Sequence, residues 1–195
     1  MKYIIIFGLL AVFLLLLFKR RRPLPAVQAL PPQRHTAAAD DAAAFRHWLA
    51  VLYRDQPQDV EAVYQGVAVE LAAEGETDWQ PDNIINFGTG ELLDAERAFL
   101  VDWKDSESFI DWAAEMAARF GFQPVWTAQN QDEDLPETLM QAVYPQFLAH
   151  GAVLYNTATG GDYYCLAIVP QADSADFEAA SQQWGLAVRT ANQPY

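Results

Sequence analysis

Charge and grease are segregated along this chain, and that segregation limits what it can become. Tyr3 to Phe18 (YIIIFGLLAVFLLLLF) is an uninterrupted apolar run of 16 residues, followed at once by Lys19-Arg20-Arg21-Arg22. Residues 1–35 carry six basic residues and no acid. The remaining 160 residues hold the other six basic residues and all 26 acidic ones, a balance of −20. A helix over Tyr3–Phe18 rises ~1.5 Å per residue and covers roughly 24 Å, somewhat short of a hydrocarbon core of ~30 Å. Lys2 and Lys19 extend their reach toward the headgroups by stretching their stems. The basic cluster on the C-terminal flank predicts that the bulk of the chain stays in the cytoplasm. The expected organisation is a transmembrane signal-anchor with a basic stop at 1–22, a linker at 23–39 and an acidic globular domain at 40–195. The expected location is the bacterial inner membrane, crossed once, with the bilayer contacted through residues 3–18. The alternative is a cleaved signal peptide, with Val27-Gln28-Ala29 as a weak cleavage site and a periplasmic domain after it.

Four prolines between Pro23 and Arg34 favour an extended, semi-stiff spacer. The acid excess argues against nucleic acid as a partner, because phosphates require Lys and Arg as counter-charge. Hydrophobic residues at 52% and aromatics at 13% separate the chain from disordered sequences. One cysteine rules out an intramolecular disulfide framework and a cysteine-based zinc site.

The acidic part reads as alternating helices and strands. Phe45, Trp48, Leu49 and Leu52 recur at helical spacing from Asp40 to Arg54. Pro57 suits the first turn of a second helix, with Val60, Tyr64, Val67 and Leu71 as its stripe and Gly75 as its stop. These two helices are expected to pair antiparallel. Glu76 to Glu91 reads as a loop with a short strand at Ile84-Ile85. Ala98 to Trp103 is a strand, and Asp105 or Ser106 caps the helix after it, whose core face is Phe109, Trp112, Ala113, Met116 and Phe120. Phe122 to Trp126 suggests an edge strand. Leu135 to Ala149 is helical, with Pro145 expected to kink or shorten it. Ala152–Asn156 and Tyr163–Val169 form a hairpin around Gly160-Gly161. Ser174 is expected to cap a last helix bearing Phe177, Ala180 and Trp184, before a closing strand at Leu186–Thr190. The fold class predicted is α+β: a transmembrane helix, a helical pair, then a sandwich of helices on a mostly antiparallel sheet.

Few residues suggest chemistry. His35, His47 and His150 lack H-x-x-x-H or H-E-x-x-H spacing. Cys165 alternates within an apolar strand and reads as a buried, inert thiol. Asn130 to Asp134 begins like a calcium loop, yet Leu135 and Gln141 stand where Gly and Glu are required. Gly88-Thr89-Gly90 lacks the phosphate-cradling spacing. No cofactor is called for. Asp102 ends one strand and Asp162 begins another, so neighbouring strands would bring two carboxylates together. Ordinary turn chemistry is the simpler account of both. Trp79 lies in a polar loop, where an exposed aromatic would anchor a partner and a packed one would not.

Several of these stretches together carry a resemblance. Asp102-Trp103-Lys104, the acid-rich helix after it, Gly160-Gly161-Asp162-Tyr163-Tyr164-Cys165-Leu166 and Phe177…Trp184-Gly185-Leu186 resemble an uncharacterised bacterial family, domain of unknown function 6630, over about Ala98 to Thr190. The hairpin is also similar to the Smi/Knr immunity superfamily. No activity comes with the first family, so the resemblance implies no catalytic residue. It marks Asp102, Trp103, Gly160, Gly161, Asp162 and Tyr164 as motif positions, and the anchor as an addition to the pattern. The expectation for function is therefore a membrane-anchored, non-enzymatic interaction domain, immunity-like or regulatory, whose acidity attracts a basic protein. The alternative is a small carboxylate-dependent hydrolase or metal-binding enzyme using Asp102 and Asp162.

Overall fold

The computed structural model describes residues 38–87, 98–127, 135–157 and 159–193, all within the unit His35–Tyr195. The expected anchor and its basic flank, Lys19 to Arg22, lie outside the described residues, as do Gly88-Thr89-Gly90 and Asn130 to Asp134. Among the described residues, no helix is long and apolar enough to cross a membrane.

The fold is α+β, and its centre is the hairpin. Strands β2 (Ala152–Thr157) and β3 (Tyr163–Pro170) pair antiparallel from Ala152↔Pro170 to Thr157↔Cys165. Strand β1 (Ala98–Asp102) joins the free side of β3, and β4 (Val188–Thr190) joins β2. The order β1-β3-β2-β4 is antiparallel throughout. Every residue of β2 is buried. Such a strand has no wet face, so the sheet must be covered on both sides.

Two apolar layers do this. Val153, Tyr155, Ala167 and Val169 face α1 (Ala38–Leu52), α2 (Val60–Ala73), α3 (Pro81–Phe87) and α6 (Ser174–Trp184). Leu154, Leu166 and Ile168 face α4 (Ser106–Arg119) and α5 (Pro136–Ala149), through Phe109, Met116, Leu139, Val143 and Phe147. Neighbouring residues of a strand point to opposite faces, which is why the hairpin reads as continuously apolar rather than alternating.

Several local expectations change. Helix α2 starts at Val60 rather than near Pro57, because the chain first turns, with the Asp59 amide donating to the Gln56 carbonyl at 3.0 Å. The broadest packing of α1 is against α6, not α2. Trp48 explains this preference: its indole N–H donates to the Ser181 hydroxyl at 3.0 Å, and its ring meets Phe177 and Trp184. At the end of α1, Arg54 forks between Asp173 and Asp176, the second at 2.8 Å. Ile84-Ile85 is not a strand. Pro81 opens a short helix there, a position that needs no N–H, and both isoleucines are buried.

Phe122 to Trp126 forms no ladder with the sheet. The Gln146 side-chain amide takes a neighbouring strand's place, accepting from the Val125 N–H at 2.8 Å and donating to its carbonyl at 3.1 Å. Pro145 does not shorten α5, whose buried Val143 and Phe147 hold it on both sides of the proline. Ser174 opens α6 without capping it. Its hydroxyl donates to the Gln171 carbonyl at 2.8 Å, at the end of a 3₁₀ turn, Gln171–Asp173.

One polar residue stands out in the sheet. Asn156 lies between Leu166 and Arg189 in the register and is fully buried. Neither amide atom has a partner among the described residues. A buried, unpaired amide costs about 1–3 kcal/mol. Asn156→Leu is expected to raise the unfolding free energy in urea by about 1 kcal/mol; a comparable loss would mean that the amide is already satisfied.

Candidate functional site

The chain makes one sharp, exposed corner where β1 hands over to α4. Asp102 is the last residue of β1 and lies opposite Tyr163. Its carboxylate accepts the Lys104 backbone N–H at 2.8 Å, and its carbonyl accepts the Asp105 N–H at 3.0 Å. This is Asx-turn chemistry, which ties the strand end into the next helix. Asp105 then caps α4, its side chain accepting from the Ser108 amide at 3.0 Å. The Ser108 hydroxyl and then the Ser108 amide hold this carboxyl below the usual aspartate range.

The hairpin loop closes the corner from the other side. The Trp103 N–H donates to the Asp162 carbonyl at 3.2 Å. Thr159 braces the loop: its hydroxyl donates to the Tyr163 carbonyl at 2.7 Å and accepts the Gly161 N–H at 3.3 Å. Gly160 has φ of 69°, in the left-handed region. A Cβ on Gly161 would stand 2.7 Å from the Tyr163 ring, so the ring occupies the place of a side chain. Five motif positions named from sequence, Asp102, Trp103, Gly160, Gly161 and Asp162, thus meet in one place.

Trp103 stands at the tip with 38% of its surface exposed. The Lys104 ammonium lies 4.3 Å from its ring centroid. Asp102, Asp105 and Glu107 in the chain on either side of it, and Asp162 in the hairpin loop, are all exposed. Sequence reasoning did not anticipate the lysine over the ring; its only trace was the Trp-Lys step at a predicted strand end.

The other sequence candidates lie elsewhere. Tyr164 turns to the α4–α5 layer, and burial followed by the nearby Glu137 raises its hydroxyl's pKa. Trp79 is packed rather than presented: its ring stacks on Tyr64 with centroids 4.5 Å apart and planes 2° apart. Its carbonyl accepts the Trp184 indole N–H at 2.7 Å. Cys165 is buried, and its thiol is pushed up to about 11 by that burial. Among the described residues, no group of three or more His, Cys, Asp or Glu is placed to hold a metal ion.

A two-sided helix–sheet–helix domain with a braced acidic turn is the class of protein these features define. The model of the family described as Domain of unknown function (DUF6630) matches residues 44–191, and the chain belongs to that family. The match reaches back across α1 and α2, well before the stretch in which the sequence resemblance was read. No curated protein and no solved structure matches the chain.

The Asp105 cap makes a pH-dependent contribution to stability. A carboxyl with a lowered folded pKa stabilises fully above its unfolded value, and the gain is lost as pH falls through the folded one. Asp105→Ala is expected to lower the unfolding free energy by about 1 kcal/mol at pH 7. The gap to the unaltered protein should close as the pH drops below about 4. Urea titrations at neutral and acid pH check this, and a gap independent of pH would contradict it.

Proposed function

We propose that this chain is a membrane-anchored, non-enzymatic protein-interaction domain, held at the cytoplasmic face of a bacterial inner membrane by residues 3–18. Its partner is a basic protein, and its role is immunity-like or regulatory. The observation that carries this reading is the corner itself: an exposed tryptophan on a hydrogen-bonded turn, with Asp102, Asp105, Glu107 and Asp162 exposed on the strand end, helix start and hairpin loop that form it. Exposed tryptophans recur as interface anchors, and complementary charge speeds encounter. The charge balance of −20 beyond residue 35 supports the same sign of partner.

The alternative, a hydrolase or metal-binding enzyme built on Asp102 and Asp162, draws less support. Both side chains stand in solvent, and one Asp102 oxygen already accepts the Lys104 amide. Acid–base carboxylates usually work where burial and neighbours adjust them.

Affinity capture with the full chain at low and high ionic strength tests the proposal. A basic protein should be retained at low salt, released as salt rises, and recovered poorly by the Trp103→Ala, Asp162→Asn double variant. Capture that ignores both salt and the double substitution would contradict it.

A further inference from the structure

We infer that β4, together with Ala191, is a strap that leaves the sheet ahead of the rest of the fold, and that the buried amide of Asn156 favours its release. This goes beyond the proposed function and does not depend on it. The strap is held lightly. Strand β4 has three residues, none of them buried, and among the described residues it pairs with β2 alone. Its ladder runs from Thr157↔Val188 to Tyr155↔Thr190, and the Ala191 N–H extends it by donating to the Leu154 carbonyl at 2.9 Å. Of residues 188–191 only Ala191 is buried, and its side chain is a single methyl. The chain just before β4 is fixed separately. Gly185 ends α6 in the left-handed region, and the buried Leu186 donates its N–H to the Ser181 carbonyl at 2.8 Å. The strap can therefore swing about Ala187 without unpacking α6.

Asn156 supplies the bias. Side chains alternate along a strand, so Asn156 shares with Ala152 and Leu154 the face toward α4 and α5. On that face the register sets Leu166 on one flank and Arg189 of β4 on the other. The amide is fully buried, and neither polar atom has a partner among the described residues. The closed strap thus holds one amide away from water with nothing in exchange, a cost comparable to what so short a ladder gains. Release removes the Arg189 flank, makes β2 an edge strand and returns the amide to solvent. Bonded pairs alternate along an antiparallel ladder, so the pair after Leu154–Ala191 is Asn156–Arg189. The residue whose side chain is orphaned therefore also carries a backbone bond of the strap.

The test is hydrogen exchange on the full chain in zwitterionic nanodiscs, read at single amides by mass spectrometry with electron-transfer fragmentation. The Asn156, Arg189 and Ala191 amides report the strap. The Tyr155 and Ala167 amides, paired on the opposite edge of β2, report the hairpin. Relative to intrinsic rates, the strap amides should exchange about tenfold faster than the hairpin amides or more, and low urea should accelerate them little, because the opening exposes little surface. Asn156→Leu should slow the strap amides by about fivefold, because the open state no longer gains a hydrated amide. Asn156→Val, smaller and β-branched, should slow them likewise and serves where leucine does not pack. Strap amides as well protected as the hairpin amides would overturn the inference. So would a strap whose exchange is unchanged in both variants while the hairpin amides slow, since the Asn156 amide would then stay buried when the strap opens.

Discussion

Antiparallel pairing of β2 with β3, buried on both faces, is the constraint from which the rest of the architecture follows. Six consecutive residues of β2 exclude water, so one helical layer cannot complete the core. The chain answers with α4 and α5 on one side and α1, α2, α3 and α6 on the other. Both layers pack on the hairpin, so its disruption would uncover both at once. The same hairpin sends its loop to the end of β1, where the Asp162 carbonyl meets the Trp103 amide. The exposed corner is therefore a product of the core's geometry rather than an independent loop.

Polar bonds at long range fix which helix belongs where. Trp48 bonds Ser181 across 133 residues of chain, Trp184 bonds the Trp79 carbonyl across 105, and Arg54 clasps the start of α6. Leaving an indole N–H without an acceptor away from water is costly, so each of these bonds rewards one packing over its neighbours. On the same face, Tyr155 donates to Glu178 at 2.7 Å. Burial and then that carboxylate push the Tyr155 pKa up, which keeps the phenol a donor. Stability comes from apolar burial, and these bonds select the arrangement.

What was legible in the sequence tracks what is local. The faces of α1 and α4, the Asp105 cap and the hairpin each depend on residues a few positions apart. Helix α1 does meet α2, through Phe45–Tyr64 and Arg46–Glu61, but its broader packing on α6 was not legible because it depends on Ser181 and Trp184, far along the chain. Ile84-Ile85 looked like a strand because a buried apolar pair carries no period, and Pro81 settled the matter as a helix start. Phe122 to Trp126 had strand composition, but a distant glutamine met its backbone in place of a strand. The corner was half legible: Asp102, Trp103 and the glycines carried the motif, while the cation over the ring required coordinates. Trp79 was balanced between presentation and packing, and its stacking on Tyr64 belongs to the core.

The functional account rests on where the acidic corner is held. On the proposed function, the basic, apolar leader would tether the strongly acidic domain beside, but off, an anionic lipid surface. The most direct measurement is protease treatment of intact spheroplasts from cells making the full chain, followed by membrane fractionation. The account predicts a membrane-bound domain that is protected until the spheroplasts are broken. Digestion from outside, or a domain released free of lipid, would contradict it.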